Sequence, residues 1–167
     1  VCVCVCVLYI NDTNTKKIVE DFCKEDQIVF GNLFHKLMSN IKYSFQFEKE
    51  ASLFFERENH KKLALKEIIS LAKRTIDDPF LSRYFTKEFE VICEKEIFTK
   101  NKEILVPDRV VVSLNEQHTI IEYKTGEKRD EHVLQIKRYA DMLMDMGLNV
   151  EKRILVYVGD FIEVVEL

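Results

Sequence analysis

Apolar residues recur every three or four positions through the first half of the chain and alternate with polar ones through the second. "FGNLFHKLMSNI" sets Phe30, Leu33, Phe34, Leu37, Met38 and Ile41 at helical spacing. "ENHKKLALKEIISLAKRTI" repeats the period at Leu63, Leu65, Ile68, Ile69, Leu71, Ala72 and Ile76. Asp78 before Pro79 marks a further helix start. Residues 11–88 therefore read as mainly helical. From residue 89 the texture changes: "FEVICEKEIF", "ILVPDRVVVSL" and "HTIIEYK" are three candidate strands joined by short polar turns, a meander. "DEHVLQIKRYADMLMDMG" is a helix with Asp130 near its start and Gly147 as its stop. "RILVYVG" and "FIEVVEL" close the chain as two more strands, and the strand after the helix should return beside the strand before it. The expected class is α/β, and residues 1–167 read as one domain.

Three charged residues interrupt the strands. Side chains alternate faces along a strand, so Asp108 shares a face with Val110, Val112 and Leu114, and Glu122 and Lys124 share one with Ile120. If residue 110 pairs with 122, Asp108 lies opposite Lys124 and all four fall on one face; a slip by one residue would separate them. Two carboxylates buried together are costly through desolvation and repulsion. A divalent cation removes that cost, because carboxylates are hard oxygen ligands suited to Mg2+. An ammonium beside them can orient water or stabilise charge on a phosphate. The alternative is an ordinary cross-strand Asp–Lys pair on a surface hairpin. Pro107 suggests a strand edge or bulge, and Gly126 permits a sharp exit from the strand.

Pro107-Asp108 followed by Glu122-Tyr123-Lys124 resembles the PD-(D/E)xK nuclease superfamily. More narrowly, the chain is similar to the RecB-type nuclease domains that end bacterial helicase-nucleases of the RecBCD and AddAB kind. Gly31 and His35 in "GNLFHKLM", and Gln135 and Tyr139 in "QIKRYADML", extend that resemblance from about residue 30 to the C-terminus. It implies a restriction-endonuclease-like core, a central mixed sheet in αβββαβ order, behind an N-terminal helical segment that carries the histidine. It implies that Asp108, Glu122 and the backbone carbonyl of Tyr123 bind Mg2+, with Mn2+ able to substitute. On the same resemblance His35 would complete or border the metal site, Lys124 would position the attacking water, and Gln135 and Tyr139 would shape the site and touch the DNA backbone. Gln135 and Tyr139 are four residues apart and so stack on one helix face, flanking Val133, Ile136, Ala140 and Leu143. On spacing alone they would be a helix rim with Gln135 solvated, and His35, offset from its apolar stripe, would be a surface histidine. His132 reads as a helix-start residue in a position to contact phosphate.

The remaining composition narrows the setting. The net charge is −4, less basic than a dedicated nucleic-acid module, so another domain or a partner subunit should supply much of the grip on DNA. Five cysteines, at 2, 4, 6, 23 and 93, make no regular disulfide framework and suit reduced thiols in the cytoplasm. None follows Cys93, which excludes the iron–sulfur cluster of some relatives, held by three C-terminal cysteines. C-x-C-x-C at 2–6 has no second arm to close a tetrahedral metal site. No apolar run reaches the roughly 20 residues of a membrane span. The first residue is Val, which suits a fragment of a longer protein. The expectation is a Mg2+-dependent deoxyribonuclease, the exonuclease domain of a helicase-nuclease that acts on double-strand breaks. A stand-alone nuclease, a non-catalytic DNA- or partner-binding module on the same fold, and a plain α/β domain with solvated carboxylates are the alternatives.

Overall fold

The computed structural model describes residues 13–98 and 102–167, with side chains from residue 26 onward; Cys2, Cys4 and Cys6 lie outside the described residues. Three helices come first: α1 (Thr13–Asn40), α2 (Phe47–Arg57) and α3 (Lys62–Ile76). They are followed by β1 (Glu90–Cys93), β2 (Ile97–Phe98), β3 (Ile104–Leu105), β4 (Arg109–Val112) and β5 (Gln117–Lys124). Then come α4 (Asp130–Asp145), β6 (Asn149–Val158) and β7 (Ile162–Glu166). The strands make a mixed five-stranded sheet in the order β1-β4-β5-β6-β7, with β2 and β3 as a separate two-stranded ribbon. Only β5 and β6 are parallel, which follows from the helix connecting them.

Alternation along the central strands assigns each face a cover. Val111, Ile121, Tyr123, Ile154 and Val156 pack with Phe34, Leu37, Ile41, Leu65, Ile68 and Leu71 from the helical layer. Val110, Ile120 and Leu155 pack with Ile136, Tyr139, Ala140 and Leu143 of α4. Both faces of β5 are therefore buried, and six consecutive residues from His118 to Tyr123 are inaccessible. The helix α4 stops where expected: Gly147 takes φ +84, and the Leu148 amide reaches back to the Leu143 carbonyl at 3.0 Å.

Four expectations need correction. Val110 pairs with Ile120, not with residue 122, so Asp108 stands at the register of Glu122 rather than Lys124. The error is two residues, an even number, so the face assignment survives. Neither long strand is continuous: Glu94 at φ 44 separates β1 from β2, and Val106-Pro107-Asp108 separates β3 from β4. Pro107 ends one ladder and lets the next begin. Asp78 accepts from the amides of Phe80 and Leu81, at 2.9 and 3.2 Å, but nucleates only a 3-10 turn at Ser82–Phe85. Gly126 has no positive φ and open space at its Cβ position, so the strand exit does not require glycine.

Glycine matters instead at Gly31. A Cβ there would lie 2.7 Å from Thr125 Oγ1, so α1 passes the end of β5 closely enough that any side chain would have to displace the Thr125 hydroxyl. Gly31→Ala should destabilise the fold by about 1–3 kcal/mol, the usual cost of overpacking. Thr125→Ala in the same chain should restore most of the loss in urea denaturation. Equal stability of Gly31→Ala and wild type would refute the close approach.

Candidate active site

The end of β5, the start of β4, the C-terminal part of α1 and the first turns of α4 meet at one end of the central strands. Asp108 and Glu122 clasp each other's strands there. The Tyr123 amide donates to Asp108 Oδ2 at 2.8 Å, and the Asp108 amide donates to Glu122 Oε2 at 3.2 Å. Each carboxylate is thus fixed by the backbone beside the other one. Register alone brings them together, because residues 108 and 122 continue the 109–121 pairing by one step.

His35 comes from the opposite layer and reaches the same point. Its Nδ1 lies 2.9 Å from Asp108 Oδ1. A carboxylate only accepts, so the Nδ1–H is the donor. His35 is therefore not a surface histidine but a neighbour of Asp108, with Tyr123 and Phe34 edge-on to its ring. Lys124 Nζ donates to Glu122 Oε1 at 2.9 Å and to Gln135 Oε1 at 2.8 Å. Gln135 Nε2 in turn donates to the Tyr139 hydroxyl at 2.7 Å. Gln135 is part of this chain of bonds and not a solvated rim residue. The tyrosine of the E-Y-K triplet buries its ring edge-on to Phe34 and to His35, and offers the site its backbone amide.

All seven residues singled out in the sequence — His35, Asp108, Glu122, Tyr123, Lys124, Gln135 and Tyr139 — thus belong to one bonded cluster. Glu94 was not anticipated. Its amide donates to the Asp108 carbonyl at 3.2 Å, and burial together with the Asp108 charge raises its carboxyl pKa. A glutamate within "CEKE" carries no periodic signal that would have singled it out. His132 lines a cleft of ≈ 800 Å³ that opens from His35 and Lys124 between α1 and α4, with Asn32, Thr125 and Arg129. Burial, helped by Lys124 and Arg129, lowers the His132 pKa.

The electrostatics show a site short of positive charge. Glu122 is 3% exposed. Burial first, and the Asp108 charge second, push its carboxyl up to about 7 despite the Lys124 bond. Burial alone would lower His35, but the hydrogen bond and charge of Asp108, with Glu122, outweigh it and leave its pKa raised. Among the described residues, no three His, Cys, Asp or Glu side chains already converge as a metal cage. The donor chemistry nonetheless fits a hard divalent cation: two adjacent carboxylates, one of them holding its proton near neutrality. Each carboxylate oxygen keeps a further lone pair beyond the bonds just described.

This imbalance has a pH signature. A carboxyl whose pKa is higher in the fold than in the unfolded chain stabilises at low pH, and that stabilisation is lost as pH rises through the folded value. For Glu122 the window runs from the ordinary 4.5 to about 7. Metal-free wild type should lose stability relative to Glu122→Gln across that window in EDTA, measured by urea titration at several pH values. A pH-independent difference between the two proteins would contradict the buried, repelled carboxylate.

No protein-family model matches the chain, and no curated protein matches it. Among the described residues, no helix is long and apolar enough to cross a membrane.

Proposed function

We propose that the protein is a Mg2+-dependent deoxyribonuclease with a restriction-endonuclease-like core. The observation that carries this reading is the reciprocal clasp of Asp108 and Glu122 with the Lys124 ammonium bonded to it. The element order, helices and then a three-strand meander β1-β4-β5, α4 and a returning parallel β6, supports the fold assignment.

Asp108, Glu122 and the Tyr123 carbonyl would hold the cation. A bound divalent ion polarises a phosphoryl oxygen and lowers the pKa of water beside it. The chain's own residues supply the rest. Asp108 is kept in place by the Tyr123 amide on one oxygen and His35 on the other. Lys124 spends two of its three N–H donors on Glu122 and Gln135, which leaves one for a water or a phosphate oxygen. Lys124 also lines the cleft in which a strand would lie. Tyr139 and Gln135 fix the ammonium from behind, so its position does not depend on the substrate. Arg129 and His132 at the cleft wall provide donors for a neighbouring phosphate.

The setting that fits an acidic nuclease is a cytoplasmic protein whose helicase domains, with a partner subunit, deliver a DNA strand to it. The test is a cleavage assay on linear and circular DNA with Mg2+, and with Mn2+ as substitute, beside Asp108→Ala. Metal-dependent loss of the linear substrate with wild type alone supports the reading. No cleavage of either DNA by wild type would reject it.

A further inference from the structure

The β2–β3 ribbon has one face in the core and one in solvent. Ile97 pairs with Leu105 and Phe98 with Ile104. Ile97 and Leu105 are buried in the α4 cluster. The outward pair is not: Phe98 is 68% exposed and Ile104 is 54% exposed. On α4, Leu134 is 65% exposed and lies one turn before Arg138, whose guanidinium pairs with Glu103 and ties the ribbon to the helix. The exposed aromatic is thus carried on an anchored arm. That arm runs through Val106 and Pro107 straight into Asp108, and Leu134 is the neighbour of Gln135. Lys95 and Lys102 on the ribbon are exposed and make no ion pair among the described residues; the acids of the same stretch are Glu94 and Glu96, which flank Lys95, and Glu103, which is turned to Arg138.

We propose that this outer face is a stacking ledge for an unpaired nucleobase of the strand whose phosphate lies at Asp108. The inference rests on the nuclease reading and adds that the substrate presents an unstacked base to Phe98. The chemistry matches: a flat apolar ring meets the base, and two lysines beside it meet the phosphates. Three exposed apolar side chains are too few for a stable protein interface, which engages roughly 20–30 residues a side. Continuity with the site also favours the substrate over a separate partner.

The test measures binding, not cleavage. Fluorescence anisotropy with a labelled single-stranded oligonucleotide is run on wild-type protein in Ca2+, beside Phe98→Ala and Phe98→Tyr, and repeated with abasic sites walked along the strand. Phe98→Ala should weaken binding about tenfold, the effect of losing one stacked base, and Phe98→Tyr should not. One abasic position should weaken wild type comparably and leave Phe98→Ala unaffected. Equal affinity of Phe98→Ala and wild type, or no sensitive abasic position, overturns the ledge. So does a Phe98→Ala effect confined to self-association in sedimentation, which would assign the face to a second copy. Base-dependent binding by a protein that cleaves nothing would sink the hydrolytic reading and leave the ledge standing.

Discussion

Lys124→Ala should lower Mg2+-dependent DNA cleavage by about 10²–10³-fold, the usual loss on removing one preorganised donor from a transition state, while leaving the fold intact. The side chain is held at its tip by Glu122 and Gln135; when it is gone, Glu122 keeps its bond from the Asp108 amide and Gln135 its bond to Tyr139. No large apolar contact is lost. The variant removes the cation nearest Glu122, so the Glu122 carboxyl should hold its proton still more firmly than it does at about 7 in wild type. Lys124→Arg restores charge but not a compact point donor, and should recover little activity. Turnover by Lys124→Ala equal to wild type, with unchanged circular dichroism and urea midpoint, would remove Lys124 from the chemistry.

Arg109→Met should cost about 3 kcal/mol or more in urea denaturation, the cost of orphaning several buried acceptors. Arg109 is 1% exposed and has no carboxylate partner among the described residues. Its guanidinium donates to the carbonyls of Ile41 and Tyr84 at 3.0 and 3.1 Å, and to that of Lys42, and lies 4.0 Å over the Phe85 ring. Ile41 and Lys42 follow the last turn of α1, so the residue acts as a buried cap on that helix's negative end. Replacing a whole buried ion pair with apolar groups can be neutral, but these acceptors are backbone and stay behind. Arg109 also fixes the start of β4, the residue after Asp108, so the variant should weaken cleavage as well. A Met variant as stable as wild type would contradict this role.

The sequence conveyed some of this and withheld the rest for identifiable reasons. Helical spacing found α1, α3 and α4, and alternation found the central strands, because in both cases one face is buried against a neighbour. The α2 helix went unmarked because "FEKEASLFFER" carries its apolar residues without a cap or a stop signal. The register missed by two because the β4–β5 turn is centred one residue earlier than expected, with the Ser113 amide donating to the Gln117 carbonyl at 2.9 Å. His35 looked external because its role depends on a residue 73 positions away, which no local pattern reports. Arg109 was invisible for the same reason: an arginine in a strand reads as a surface residue until the helix end above it is known. The alternating apolar frame did make Asp108, Glu122 and Lys124 conspicuous, because each stands where an aliphatic residue would otherwise be buried.

The most direct measurement is anomalous scattering at the manganese edge from crystals soaked in Mn2+ near pH 8, above the raised Glu122 pKa of about 7. A peak within coordinating distance of both Asp108 and Glu122 is the predicted result. Crystals that take up manganese elsewhere, or not at all, while these two carboxylates keep only their hydrogen bonds to the Tyr123 and Asp108 amides, would contradict it.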